Sequence, residues 1–341
     1  MADTIVDTIE CSFEKNDDEF VVDYLLAHKM LYVQEFLKSK DLSYSGTKEK
    51  LRNRLNGYLS DGKISNIELI NLLDKIEGWG NQHIYLYISP DNIIKLWQTE
   101  ELTRGRLKKH NLDELLNQKK PILLPEKPTL SSIEWNPERM RFFWIEKRIH
   151  ERKIPEKDKT DEEEKDLLWK AYKIMTSRGV IVFEWDLISG HAMLMIQRLQ
   201  SRDKYHQIKG RFLQELDPII GISNFETVRV SKAIKQIENS GEARKRQLTH
   251  CTILGGKVKL SSDSRKTDLY ADPQLKESRK ALGKDITSWL GNFYFSPDQG
   301  CCLNKEIHVL LYAEDQRVGI FGECREEEVR YILSKIRKYC Q

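Results

Sequence analysis

The sequence predicts an α+β protein, with an N-terminal helical region that holds a helix–loop–helix and then a mixed α+β C-terminal domain. Three observations predict it. From Phe20 to about Ile76, apolar residues recur at spacings of three and four, the period of one helix face. Pro121, Pro125 and Pro128 then fall within eight residues, and proline fixes its own φ while biasing the residue before it towards extended backbone. Beyond them, strand-like and helix-like patterns alternate irregularly, as in α+β folds. The expected divisions are residues 1–76 (helical), 77–128 (connecting region and linker, the linker at 119–128) and 129–341 (the α+β domain).

Taken in order, residues 1–19 are acidic and read as a solvated lead-in, and His83–Ile88 reads as a short strand. Residues 140–149 are aromatic and β-branched and predict a strand. The charged run 156–166 should open a helix continuing through Met175. Residues 180–188 and 191–196 flank Ser189-Gly190 as a hairpin, and helices are expected at about 200–216 and 223–239. Ile307–Tyr312 and Val318–Phe321, joined by a polar turn, predict a second hairpin. Glu326, Glu327 and Glu328 open the last helix and Lys335, Arg337 and Lys338 close it, a charge order that complements the helix dipole.

Composition narrows the class. Charged residues make up 32% of the chain, yet the net charge is only +3, which excludes a protein coated with positive charge but not one with a local basic face. No uncharged apolar run reaches the roughly 18 residues that would suggest a membrane helix, and Met1-Ala2-Asp3-Thr4-Ile5 lacks the basic flank and apolar run of a signal peptide. Six scattered cysteines do not form a disulfide framework. These features predict an intracellular protein, in cytoplasm, nucleoid or nucleus, with no membrane partner.

The charge stands out within residues 31–64. Val33, Phe36 and Leu37 give a first helix its buried face, Leu42 is the apolar plug of an extended connection, and Thr47 can cap a second helix whose stripe is Leu51, Leu55 and Leu59. Lys38, Lys40, Lys48, Lys50, Arg52, Arg54 and Lys63 face only four acids over this stretch. Bases at a helix N-terminus oppose its dipole at a few tenths to about 1 kcal/mol each, so they suit a phosphate better than they suit stability. The segment Asp41-Leu42-Ser43-Tyr44-Ser45-Gly46-Thr47-Lys48, with Leu31, Val33 and Phe36 before it and Leu51 and Arg54-Leu55 after it, resembles the SAP motif, a helix–extended loop–helix DNA-binding module. The family usually has glycine where this chain has Asp41, so the first helix should end differently here. The resemblance covers about a tenth of the chain. It implies largely sequence-independent contact with double-stranded DNA through Lys38, Lys40, Ser45, Gly46, Thr47, Lys48, Lys50, Arg52, Arg54 and Lys63, with no cofactor.

A second basic stretch, 242–285, includes Arg244, Lys245, Arg246, Lys257, Lys259, Arg265 and Lys266 and is a possible second DNA surface. Otherwise the C-terminal domain is expected to bind a protein partner. Two other classes remain open on sequence. A metal-dependent nuclease would use Glu134 with Glu151-Arg152-Lys153, although such triplets recur by chance in so charged a chain. A protein–protein scaffold would use the helical N-terminus. Cys301, Cys302, His308, Cys324 and Cys340 lack the Cys-x-x-Cys pairs of a zinc site, and Trp135, Trp144, Trp169 and Trp185 read as core.

Overall fold

The computed structural model describes residues 17–27, 30–120, 122–160, 168–199, 204–264, 266–283, 285–298 and 301–340. The chain forms two compact units, residues 1–74 and 75–341.

In the first unit, α1 (Asp17–Ala27), α2 (Met30–Ser39) and α3 (Lys48–Ser60) lead into α4 (Asn66–Glu77), which ends past the boundary. The predicted stripe largely holds: Val33, Leu37, Leu51 and Leu55 are fully buried with Val21, Val22 and Leu25, whereas Phe36 and Leu59 are half-buried. Along α4, Leu69 and Leu73 are fully buried whereas Ile67 is 56% exposed.

The second unit opens with β1 (Gln82–Ile88), α5 (Asp91–Ile94) and α6 (Glu100–Lys108). Then come β2 (Thr129–Asn136), β3 (Arg139–Lys153) and a small ribbon of β4 (Lys159–Thr160) with β5 (Leu168–Trp169). β6 (Tyr172–Asp186), β7 (His191–Gln197), α7 (Lys204–Ile220), β8 (Glu226–Thr227) and α8 (Val230–Ser240) follow. The chain ends through β9 (Arg244–Thr252), β10 (Lys257–Ser261), α9 (Pro273–Ala281), β11 (Ile286–Phe295), β12 (Ile307–Tyr312), β13 (Arg317–Phe321) and α10 (Glu326–Lys338).

One eleven-stranded antiparallel sheet dominates, in the order β10-β9-β11-β12-β13-β1-β7-β6-β3-β2, with β8 paired to β1. This corrects the predicted fold class. The helices are scattered from Asp17 to Lys338, and no helical N-terminal region is followed by a separate α+β domain beginning at residue 129. The stretch expected to be a connector supplies a central strand, β1. Its residues Gln82-His83-Ile84-Tyr85-Leu86-Tyr87 are all buried, because helices cover both faces there. A strand covered on both faces reads as a continuous apolar run, and its neighbours β13 and β7 lie far along the chain, where local pattern cannot reveal them.

Both predicted hairpins form, β6–β7 and β12–β13, as do α7, α8 and α10. The helix expected through Met175 does not: Tyr172–Met175 belong to β6, paired along its length with β3 from Arg139↔Asp186 to Lys153↔Tyr172. Residues 161–167 of that expectation lie outside the described residues. Fifteen-residue partners outweigh a local charge pattern, since each ladder bond satisfies backbone groups that a short helix would leave open at its ends.

Two cores flank the sheet. On one face, α8 and α10 press Ile234, Ile237, Val329, Ile332 and Ile336 against Ile84, Phe293, Val309 and Ile320. On the other, α7 adds Phe212 and Leu216 to Phe142, Trp144, Phe183 and Trp185. Each such fully buried large side chain contributes about 1.5–3 kcal/mol over leaving it in water. Among the described residues no helix is long and apolar enough to cross a membrane.

Candidate nucleic-acid interface

In the first unit, the loop between α2 and α3 is built by a few identifiable contacts. Helix α2 stops in a Schellman turn: Leu42 N–H donates to Leu37 O at 2.9 Å and Asp41 N–H to Lys38 O at 3.1 Å, with Asp41 at φ +56°. The position that carries glycine in the resembled motif is therefore left-handed in this chain. Aspartate is one of the few residues that adopt this conformation with a local polar side chain. Gly46 stands at φ +134°, and a Cβ on it would meet Lys50 Cβ at 3.2 Å. Thr47 Oγ1 then accepts from Lys50 N–H at 3.4 Å, capping α3.

Two α3 side chains hold this loop in place. The Arg54 guanidinium donates to Ser45 O, and Tyr58 Oη accepts from Ser43 N–H at 3.2 Å. Arg54 is thus a positioning residue rather than a free cation. The other predicted cations also divide. Arg52 Nε pairs with Asp23 on α1 at 2.6 Å, Lys40 pairs with Glu68, and Lys63 pairs with Asp61 at 2.8 Å. Those partners hold Glu68 below the usual carboxylate range and the Lys63 ammonium above its ordinary value. Lys38, Lys48 and Lys50 are exposed and have no side-chain partner among the described residues. Lys48 and Lys50 occupy the first turn of α3, where backbone N–H groups are unsatisfied by the helix.

The second basic stretch also divides by face. Arg244 stacks 4.2 Å from the Tyr294 ring centroid, and Arg246 donates to Tyr294 Oη at 3.2 Å, which sets both on the Tyr294 side of the sheet. A bulge in β9 shifts the alternation after Arg246, so Leu248 and its partner Leu260 face the core beneath α8, and Lys257 and Lys259 fall on the opposite, Tyr294 side. Lys245 points the other way, buried and paired with Asp268 at 3.2 Å. Lys266 is exposed, and Arg265 lies outside the described residues.

The nuclease constellation is not assembled. Glu134 on β2 pairs with Arg141 directly across on β3, whereas Glu151 lies ten residues further along that strand, a separation of roughly 30 Å at strand rise. Lys153 is bonded to Asp158 at 2.9 Å. Among the described residues no three His, Cys, Asp or Glu side chains gather as a metal site would require. Trp144 and Trp185 are buried and Trp135 is half-buried, donating to Trp97 O at 2.8 Å, but Trp169 is 64% exposed.

Several residues that share a face with Arg244 and Arg246 escaped the sequence reading, among them Tyr294, Tyr312, Arg317 and Phe321. Their signal is strand alternation: His308, Leu310 and Tyr312 interleave with buried Ile307, Val309 and Leu311. No protein-family model matches the chain, and no curated protein matches it.

Proposed function

We propose that this chain is a non-catalytic protein that binds double-stranded DNA, largely without regard to sequence, through the α2–loop–α3 segment. The observation that carries the reading is the trio Lys38, Lys48 and Lys50, exposed and without a side-chain partner among the described residues, around a loop pinned by Arg54 and Tyr58. A pinned loop with cations and free N–H groups at a helix start suits phosphate oxygens, which fix register without reading bases. The convergence of Arg244, Arg246, Lys257 and Lys259 on one face favours a C-terminal unit that extends the nucleic-acid surface over one that serves a protein partner.

Three phosphate contacts should give a salt slope near −3 in log K against log salt, since each contributes about −0.9. The test is fluorescence anisotropy of the full chain on a labelled duplex over a salt series. Lys38→Gln, Lys48→Gln and Lys50→Gln together should flatten the slope by close to that amount. Arg52→Gln, which breaks the Asp23 pair, should change stability more than slope. Unchanged affinity and slope in the triple variant would refute the assignment.

A further inference from the structure

Among the described residues of the second unit, no helix core covers one quadrant of the large sheet. Across β9, β11, β12 and β13, α8 and α10 cover one face only. The core beneath α7 on the other face draws no residue from these four strands. What the strands present there is a row of rings. Tyr294 on β11, His308 on β12 and Phe321 on β13 stand opposite one another in register. The first two stack at 4.7 Å and 11°, and the next pair lies 5.0 Å apart. Arg244 caps one end of the row over Tyr294, and Arg198 caps the other, 5.3 Å from the Phe321 centroid.

Four residues along the strands, beyond the Leu310–Gly319 pair, runs a second row, Tyr312 and Arg317, paired in register. The Arg317 guanidinium is sandwiched 4.1 Å from Tyr312 and 4.7 Å from Tyr205, and is tied to Asp315 at 2.8 Å. Between the two rows lies a slot of about 320 Å³, with Leu310 on its floor. Gly319, paired with Leu310, keeps the floor low: a Cβ there would press on Phe321 at 2.9 Å and His83 at 3.2 Å. The walls are therefore aromatic and flat. At the rim, Glu306 and Asp315 answer Arg244 and Arg317, while Arg198 and Arg246 have no carboxylate partner among the described residues.

A ring-walled slot with uncompensated guanidinium groups at its edge fits a planar base joined to a phosphate. We propose that this quadrant binds single-stranded nucleic acid, one unpaired base entering the slot between the Phe321–His308 and Tyr312–Arg317 rows while Arg198 and Arg246 take neighbouring phosphates. A polynucleotide is favoured over a free nucleotide because the cations continue past the slot, through Arg246 to Lys259 and Lys257 on the edge strand. A duplex would present its bases already stacked and hydrogen-bonded, whereas an unpaired base offers the π-face that aromatic platforms take. Burial and the nearby arginines push His308 down to about 4 and His83 to about 3, so both rings are neutral near pH 7 and add no charge of their own to the slot. The proposal stands independently of the duplex-binding segment in residues 38–63.

The experiment uses the full chain and labelled oligothymidylate, with thymidine monophosphate as competitor. Arg198→Gln, at an exposed side chain, should weaken oligothymidylate binding and lower the salt slope by about one. Tyr312→Leu, which keeps apolar volume but removes a ring, should weaken it roughly tenfold or more. Changing Lys48 and Lys50 to Gln should leave most of this single-strand affinity in place. The proposal is overturned if Arg198→Gln binds like the parent. It is equally overturned if the monophosphate competes as well per site as the oligomer, or if single-strand binding disappears with Lys48 and Lys50 alone. Should Tyr312→Leu fail to fold by thermal melting, the Arg198→Gln result decides the matter, since that side chain is exposed and holds no ion pair among the described residues.

Discussion

Consider removing one partner of the buried ion pair between Glu77, at the end of α4, and Arg178 on β6. Both side chains are 0% exposed. The Arg178 guanidinium bonds the Glu77 carboxylate and donates to Ile122 O at 3.2 Å, joining three separate segments of the second unit. Arginine cannot shed its proton in a protein, so Glu77→Gln takes away the carboxylate that this buried guanidinium bonds. Breaking such a pair from one side costs about 3–5 kcal/mol. At about 2–4 °C per kcal/mol for a unit of this size, melting should fall by roughly 6–20 °C. Replacing both, Glu77→Leu with Arg178→Met, removes the charge and its desolvation together and should recover most of the loss, or exceed the parent by about 1–4 kcal/mol. The assay is calorimetric melting of the parent, each single variant and the double variant at one pH. If each single variant costs less than about 1 kcal/mol, or if the double variant loses the sum of the two, the reasoning about a charge trapped out of water is wrong.

Other expectations test the loop and the ring rows. Gly46→Ala forces a side chain to φ +134° against Lys50 and should cost about 1–3 kcal/mol in urea unfolding, with weaker duplex binding. Asp41→Gly, at φ +56°, should instead be neutral or stabilise the first unit by up to about 1 kcal/mol, since glycine meets no steric penalty there. Thr47→Ala removes the cap of α3 and should cost about 1 kcal/mol, read by the same unfolding curve. His308 takes a proton at 6.5 when unfolded but only at about 4 when folded. The unfolded state therefore binds more protons between those values, and stability is full above pH 6.5 and falls as pH drops towards 4. The slope is at most about 1.4 kcal/mol per pH unit for this group. His308→Gln should flatten melting temperature against pH in that window, and an unchanged profile would show that the folded ring protonates freely.

What the sequence determined by itself is mostly local. The period of Val33, Leu37, Leu51 and Leu55, the capping threonine and the acid-to-base order of α10 each act within a few residues, so each is legible without knowing the rest of the chain. Both hairpins were legible for the same reason, because a short turn fixes which residues pair. Tertiary structure alone decided three things. It gave β1 its central place and turned Tyr172–Met175 into strand, because antiparallel partners far along the chain outweigh local charge. It sorted the basic residues: Arg52, Lys40, Arg54 and Lys245 are committed to contacts that composition cannot see, whereas Lys38, Lys48 and Lys50 are exposed with no side-chain partner among the described residues. And it gathered Arg198, Tyr294, His308, Tyr312 and Phe321 on one face of the sheet, since a face exists only once four strands have found their register.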